Sequence, residues 1–377
     1  MTKFFNYDEL TWLEVNALRR DCPLVIPLGQ GYPLERLAQA LGDPPHAGLL
    51  PPVPFGWMGS GLRLPVDLLR NLLANLLASL QDDGFSRAYA LTPQGLDLGL
   101  GSSFLALPHP DRIQPAREIP SDEDRGKVVL LPVGHIEQHA YHLPMLTDTC
   151  IIEAIAKGVA EQAPSQVAAL PVMPYGVSTH RPSFAGTLNV GGRAFEDFWL
   201  GVVDVLAGRG FEAMYFLNGH GGNHSFLVNV VKYAGERYRN IFCAASFLYL
   251  SGPEGVAALE AHRQSSLGGM GHAGELETSL MLHLRPELVH MQNVVDEIDF
   301  ISTPSYYMDW VEGGALIANP PWEDDTATGA YGAGSLGTAE KGDVWLQAAI
   351  DEKIAHLAEI QEQLSRRKAR RASKLAQ

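Results

Sequence analysis

Two rhythms of apolar and polar residues alternate over the last two thirds of the chain. The run Val128–Val133 is apolar throughout and short, bounded by Lys127 and Gly134, which predicts a buried strand. Downstream, the apolar spacing predicts a helix over 148–162, a strand over 167–173 and an amphipathic helix over 194–208. A strand over 213–217 follows and ends in a glycine-rich turn. Then come a helix over 223–238, a strand over 241–248, a helix over 276–284 and a long closing helix over 341–365. Strands that alternate with helices in this way predict an α/β layered fold, with a mostly parallel sheet flanked by helices. Reactive groups in such folds collect at the carboxyl ends of the strands. Glu137, His139 and His220 all fall just after predicted strands.

The first 120 residues read as a degenerate α/β half-repeat of the downstream region. Val25-Ile-Pro-Leu-Gly29 parallels Leu130-Leu-Pro-Val-Gly134, and Pro52-Val-Pro-Phe-Gly56 parallels Val172-Met-Pro-Tyr-Gly176. Gly84-Phe-Ser-Arg-Ala-Tyr-Ala-Leu-Thr-Pro-Gln-Gly95 parallels Gly210-Phe-Glu-Ala-Met-Tyr-Phe-Leu-Asn-Gly-His-Gly221. Each copy carries an apolar helix between the last two blocks, at 66–80 and at 194–208. In the first copy Gln30-Gly31-Tyr32 occupies the region of Glu137 and His139, and Gln94 stands in place of His220. The expected organisation is therefore a non-catalytic part over 1–120, a catalytic domain over 121–365 and a basic tail over 366–377. The polar, proline-bearing stretch 108–124 serves as linker.

Composition narrows the picture. The chain has 377 residues, 46% hydrophobic, enough for a sizeable core, and a net charge of −15 gives no electrostatic basis for binding nucleic acid or an anionic membrane. No apolar run reaches the length of a membrane span. Cys22, Cys150 and Cys243 form neither a CxxC pair nor a disulfide framework, and the start shows no secretory leader, so a cytoplasmic setting is expected. The run Arg366-Arg-Lys-Ala-Arg-Arg371 reads as a solvated, frayed helix end.

Glu137, His139, Asp148, His220 and Glu277 carry the chemistry. Their oxygen and imidazole donors suit Zn²⁺ or Mn²⁺, with Fe²⁺ as an alternative, and grouping such side chains at strand ends is costly unless a metal compensates. Asp148 alone would also suit a helix N-cap, and His135, His142 and His224 suit structural or supporting roles.

Four blocks extend this reading. They are Leu131-Pro-Val-Gly-His-Ile-Glu-Gln-His-Ala-Tyr-His-Leu-Pro-Met-Leu-Thr-Asp148, His180-Arg-Pro-Ser-Phe-Ala-Gly-Thr-Leu188, Asn218-Gly-His-Gly-Gly-Asn223 and His272-Ala-Gly-Glu-Leu-Glu-Thr-Ser279, with Gly337-Thr-Ala-Glu-Lys-Gly342 before the last helix. In this order they resemble the creatininase (creatinine amidohydrolase) family over roughly 126–365. The resemblance implies two divalent metal ions per chain, bridged by Asp148, with Glu137 and His220 completing one and His139 the other. In creatininase itself the last carboxylate lies where this chain has Gly222, so the role passes to Glu277, with Glu275 as the second candidate. His272 is implied as a catalytic residue that orients the carbonyl or protonates the leaving group near its ordinary pKa of about 6.5. His180, Ser178, Tyr175, Gly221 and Gly222 are expected to contact substrate. The implied activity is cleavage of a C–N bond (amide, cyclic amide or formamide) in a small polar substrate by a metal-bridged hydroxide. Creatinine itself is disfavoured, because 251–271 lacks the tryptophans of that pocket. Opening of a diketo-inositol ring by C–C hydrolysis is the alternative reaction, and a non-catalytic scaffold with a vestigial metal site is the alternative class. A homo-oligomer is implied, smaller than the family's usual hexamer if the N-terminal half replaces a neighbouring subunit. Specificity is expected from the segments 248–270 and 301–325.

Overall fold

A computed structural model describes residues 1–108, 119–309 and 312–375. Most of the expected linker lies outside them. The N-terminal half contains β1 (Lys3–Asn6), α1 (Trp12–Ala17), β2 (Leu24–Pro27), α2 (Leu34–Ala40), β3 (His46–Leu49), α3 (Val66–Asp82), β4 (Ala88–Pro93) and β5 (Phe104–Leu107). The second half contains β6 (Val128–Val133), α4 (Thr147–Gln162), β7 (Val167–Ala169), α5 (Gly192–Gly208), β8 (Ala213–Asn218), α6 (His224–Arg237) and β9 (Phe242–Ala245). It continues through α7 (Pro253–His262), α8 (Glu275–Leu284), the small hairpin β10 (Tyr307–Met308) and β11 (Glu312–Gly313), and α9 (Ala339–Leu375). Both large sheets are parallel, as the alternating pattern predicts.

The two sheets match strand for strand. One runs β1-β3-β2-β4-β5 and the other β7-β6-β8-β9, so β3-β2-β4-β5 has the same order as its downstream counterpart. Register matches as well. Pro27 pairs with Leu91 where Pro132 pairs with Leu217. The Gly29 amide donates to the Val53 carbonyl at 3.0 Å, and the Gly134 amide to the Met173 carbonyl at 2.9 Å. These are the residues that the sequence comparison aligns.

Leucines at helical spacing on α3 (Leu69, Leu72, Leu73, Leu76, Leu80) are buried, and α3 packs on α5 closely enough that a Cβ at Gly201 would lie 2.5 Å from Leu68. One apolar cluster takes in Leu24, Ile26 and this face of α3 together with Val129, Leu131, Phe198 and Trp199 of the second half. The halves thus share a core. Deleting residues 1–120 strips the cover from α5, and the expected outcome is aggregation. Size-exclusion chromatography of the truncated chain checks this; a soluble, active product would show the N-terminal half to be dispensable.

Predicted and observed elements differ at their ends. The strand expected over 167–173 keeps ladder pairing only to Ala169, with an isolated bridge at Met173, and the one expected over 241–248 ends at Ala245. The basic tail corrects the expectation of a frayed end. Helix α9 continues through it, because Arg371 Nη1 donates to the Arg239 carbonyl at 2.8 Å, Lys368 pairs with Glu212, and Arg367 lies over the Phe242 ring. Among the described residues, no helix is long and apolar enough to cross a membrane.

Candidate metal centre

Strand β6 delivers its chain end to a buried turn that holds Glu137, Gln138 and His139, and Asp148 lies in the first turn of α4. His220 follows β8 directly, and Glu277 lies in the first turn of α8. Their atoms converge in two overlapping groups that share Asp148, while Glu137 and His139 form a further group with His272. Asp148 Oδ1 lies 3.2 Å from His139 Nε2, which is 3.6 Å from Glu277 Oε2. Asp148 Oδ2 lies 3.1 Å from His220 Nδ1, which is 3.0 Å from Glu137 Oε2. One carboxylate thus turns one oxygen to each group.

Backbone carbonyls fix the imidazoles. A carbonyl oxygen only accepts, so the ring nitrogen beside it carries the proton. His139 Nδ1 donates to the Glu137 carbonyl at 3.0 Å, His220 Nε2 to the Val177 carbonyl at 3.0 Å, and His272 Nε2 to the Gln138 carbonyl at 2.6 Å. The opposite nitrogen of each ring then faces carboxylates with a lone pair. Glu137 Oε2, His139 Nε2 and Asp148 Oδ2 are buried without a hydrogen-bond partner. Lone pairs turned on carboxylates are held together only by a cation between them. This donor set, all oxygen and imidazole nitrogen, fits Zn²⁺ or Mn²⁺.

In the metal-free chain, protons take the cation's place. Burial would push His139 down, but Asp148 and Glu277 outweigh it and raise the imidazole to about 9. His220 is likewise raised well above its ordinary value, burial being overcome by Glu137 and Asp148. Burial, opposed chiefly by His139, lifts the Glu277 carboxyl to about 7. His272 moves the other way. Burial, with His139 beside it, pushes it down to about 3, so it is neutral at pH 7. The expectation of an ordinary histidine pKa there is corrected: its burial was not readable from the sequence.

The other expected positions separate. His180 lines the cleft, with Nε2 2.7 Å from Glu137 Oε1. Gly221 and Gly222 line it too, and a Cβ at Gly222 would come within 2.5 Å of both the Val177 carbonyl and His220 Nε2, so no carboxylate-bearing side chain fits there. Ser178 does not line the cleft; its hydroxyl lies behind Glu137, 3.4 Å from Oε1. Tyr175 is placed elsewhere altogether. It is buried and donates to the Pro51 carbonyl of the N-terminal half, which corrects its assignment to substrate. Glu275 turns away from the cleft and accepts from the Gln264 and Ser265 amides and from Lys341. Glu277→Gln is therefore expected to lower metal content and Glu275→Gln to leave it intact. Elemental analysis of both proteins decides, and the reverse pattern would move the ligand to Glu275.

Of the three uncertain histidines, His135 lies tilted against His220 with centroids 4.4 Å apart, His142 Nε2 meets the Thr278 hydroxyl at 2.9 Å, and His224 packs edge-on to Phe247. Ala140 and Ala273, the residues after His139 and His272, hold positive φ of 55° and 53°, strain placed beside the site.

Three neighbours of the centre escaped the sequence reading. The Tyr249 hydroxyl lies 2.6 Å from the Gly219 carbonyl and 3.3 Å from Asp148 Oδ1. It follows the strand predicted over 241–248, so the strand-end rule could have found it. Gln138 is pinned by the Ala140 amide at Oε1 and by the Gly329 carbonyl at Nε2, and so steadies the carbonyl that holds His272. Trp322 stacks flat on His180 at 3.9 Å and meets His272 edge-on at 5.1 Å. It supplies an aromatic wall from the 301–325 segment instead of from 251–271. The cleft encloses about 800 Å³ of non-protein space, including its open mouth, and Phe247, Tyr306, Met308 and Asn319 complete its sides.

Two parallel sheets, with carboxylates and imidazoles gathered at the strand ends of the second, define a metal-centred hydrolase architecture. The family model described as "Creatininase: Creatinine amidohydrolase" matches residues 115–357, and the chain belongs to the creatininase family of hydrolases. It is 34% identical over 173 residues to a mycofactocin precursor peptide peptidase of Mycobacterium ulcerans, covering 43% of this chain and about 60% of that protein's length. Over 182 residues it is 31% identical to the creatinine amidohydrolase of Pseudomonas putida, covering 45% and 68%. A longer match, 28% identical over 268 residues, covers 66% of this chain and 83% of the 3-dehydro-scyllo-inosose hydrolase of Thermotoga maritima. Among solved structures, a manganese form of creatininase aligns with a TM-score of 0.53 at 25% identity over 63% of this chain and 92% of its own. A creatininase variant of Zn-Zn type aligns at 0.52 with 25% identity over 62% and 90%.

Proposed function

We propose that the chain is a metal-dependent amidohydrolase that cleaves a C–N bond in a small polar substrate. The observation that carries this reading is Asp148, whose two oxygens face two separate donor groups across a buried cleft. Two divalent ions would be held here, one by His139 and Glu277 and the other by Glu137 and His220, with Asp148 serving both. Ions of the Zn²⁺ or Mn²⁺ class supply a Lewis acid and lower the pKa of a coordinated water.

The remaining steps belong to the chain's own residues. His272 keeps its Nε2 proton on the Gln138 carbonyl and presents a bare Nδ1, 3.8 Å from Glu137 Oε2, to the cleft. It is neutral at pH 7, so its bare Nδ1 accepts the proton that the attacking water loses and passes the same proton to the departing group. His180 and Ser178 hold Glu137 Oε1, and Tyr249 steadies Asp148. Trp322, with Tyr306 and Met308, walls the cleft against water. The N-terminal half is assigned no catalytic role, because every candidate metal group among the described residues lies after residue 136. Homo-oligomerisation, as proposed for this chain, is checked by light scattering.

A second reading is C–C hydrolysis of a ring ketone. The long match to the inosose hydrolase favours it, and the same residues serve a carbonyl next to either bond. A panel of cyclic amides, formamides and cyclic 1,3-diketones, assayed with Mn²⁺ and with Zn²⁺, separates the two. Release of an amine supports the first; an acid formed without amine supports the second. Hydrolysis of none of them by a metal-loaded protein would leave a scaffold.

A further inference from the structure

One short segment of the catalytic half is held from outside by the N-terminal half. Residues 180–187 present His180 at one end, 2.7 Å from Glu137 Oε1, and Thr187 at the other, whose hydroxyl accepts the Gln138 amide at 3.0 Å. Both ends thus touch the turn that carries Glu137, Gln138 and His139. Between them, the contacts reach across to residues 7–83. Asp83, just past the end of α3, accepts from Arg181 Nη2 at 2.8 Å with one oxygen and from the Gly186 amide at 2.7 Å with the other. Arg181 Nη2 also donates to the Ser79 carbonyl at 2.7 Å. The Tyr7 hydroxyl donates to the Gly186 carbonyl at 3.0 Å. Trp12 packs edge-on to Phe184 at 5.4 Å, and Phe184 packs on Trp322, which stacks on His180.

Among the described residues of the catalytic half, Glu323 also accepts from the Ser183 hydroxyl, but Asp83 alone grips both sides of the segment through charge-assisted bonds, with its side chain only 9% exposed. The family match begins at residue 115, so Asp83 lies outside it while Arg181 and Gly186 lie within.

We propose that the N-terminal half is a positioning module for the cleft, with Asp83 as its principal positioning residue. Asp83 sets Arg181–Gly186 and through it the ring of His180 and the Trp322 wall. Tyr7 and Trp12 support the same segment. Asp83 touches no substrate and no reacting atom.

The test rests on the hydrolase reading in one arm and not in the other. The first arm uses histidine-labelled, metal-free full-length chain. The imidazole signal of His180 is assigned by its loss in His180→Asn, and Asp83→Asn is expected to shift and broaden it. Tyr7→Phe, which removes a single hydroxyl and spares the fold, is expected to shift it less in the same sense. An unmoved His180 signal in both variants overturns the proposal whatever the chain hydrolyses. The second arm uses a panel substrate that the Mn²⁺-loaded wild type turns over. Asp83→Asn is expected to keep its metal while kcat/KM falls about 10- to 100-fold, the range for displaced groups that lie off the chemistry, and Asp83→Glu to recover part of it. A variant that melts earlier but keeps kcat and KM would make Asp83 structural only and overturn the proposal. If the wild type turns over no substrate, the hydrolase reading fails and the imidazole signal still decides the positioning role.

Discussion

Asp148→Ala is expected to suppress hydrolysis and to empty both proposed metal positions at once. Asp148 turns one oxygen to His139 and the other to His220, so its removal opens both groups. His139 Nε2 and His220 Nδ1 then lose their shared carboxylate, and Tyr249 loses its Asp148 contact while keeping the Gly219 carbonyl. A metal centre contributes several kcal/mol of transition-state stabilisation, so the rate is expected to fall about 10³-fold or more. Stability in the presence of Mn²⁺ falls as well, because metal bound only by the native state adds to folding free energy. His139→Ala, by contrast, is expected to lose mainly one ion. The check is elemental analysis beside an activity assay on the same preparation. A metal-replete, active Asp148→Ala protein would remove the bridge.

His272→Ala gives the second large effect, of a different kind. His272 Nδ1 stands 3.8 Å from Glu137 Oε2 and could join Glu137 and His139 at a metal, but Asp148, His220 and Glu277 complete both shared groups without it, so metal content is expected to stay. Loss of a general acid–base group lowers kcat by roughly 10² to 10⁴, with less change in KM, since the interaction belongs to the transition state. The sign with pH is set by burial. An imidazole pushed down to about 3 is deprotonated throughout pH 5–8, so the wild-type profile in that window carries no limb from His272 and the variant loses none. Kinetics from pH 5 to 8 on both proteins check this. An unchanged kcat in a metal-loaded variant would exclude the residue from the chemistry.

Much of the fold and centre was legible because strands and ligands obey short-range rules. Val128–Val133 is apolar at every position, and its strand is buried at every position. Glu137, His139 and His220 could be grouped because parallel strands bring their carboxyl ends together, and the repeat could be read because Pro27 and Pro132 hold one register. Contacts across long sequence separation stayed hidden. Nothing local marks Trp322 as the ring on His180, since its segment has no period, or Asp83 as the partner of Arg181 about a hundred residues on. Tyr175 misled because it follows a strand end as pocket residues do, yet its hydroxyl finds Pro51 in the other half. Burial itself was invisible at His272, and burial is what sets its protonation. The tail is exposed to solvent as its basic residues suggest, yet it does not fray, because Glu212 and the Arg239 carbonyl receive two of them.

The central claim is that two cations belong between Asp148 and its two donor groups. Isothermal titration of the metal-free chain with Mn²⁺, near pH 7.5 in two buffers of different ionisation enthalpy, tests it most directly. His139, raised to about 9 against burial by Asp148 and Glu277, carries a proton at that pH and must shed it to bind metal, and Glu137 and Asp148 shift His220 in the same direction. The expected result is about two ions per chain with net release of protons. Absence of binding, or a single ion bound with no proton released, would contradict a two-ion centre bridged by Asp148.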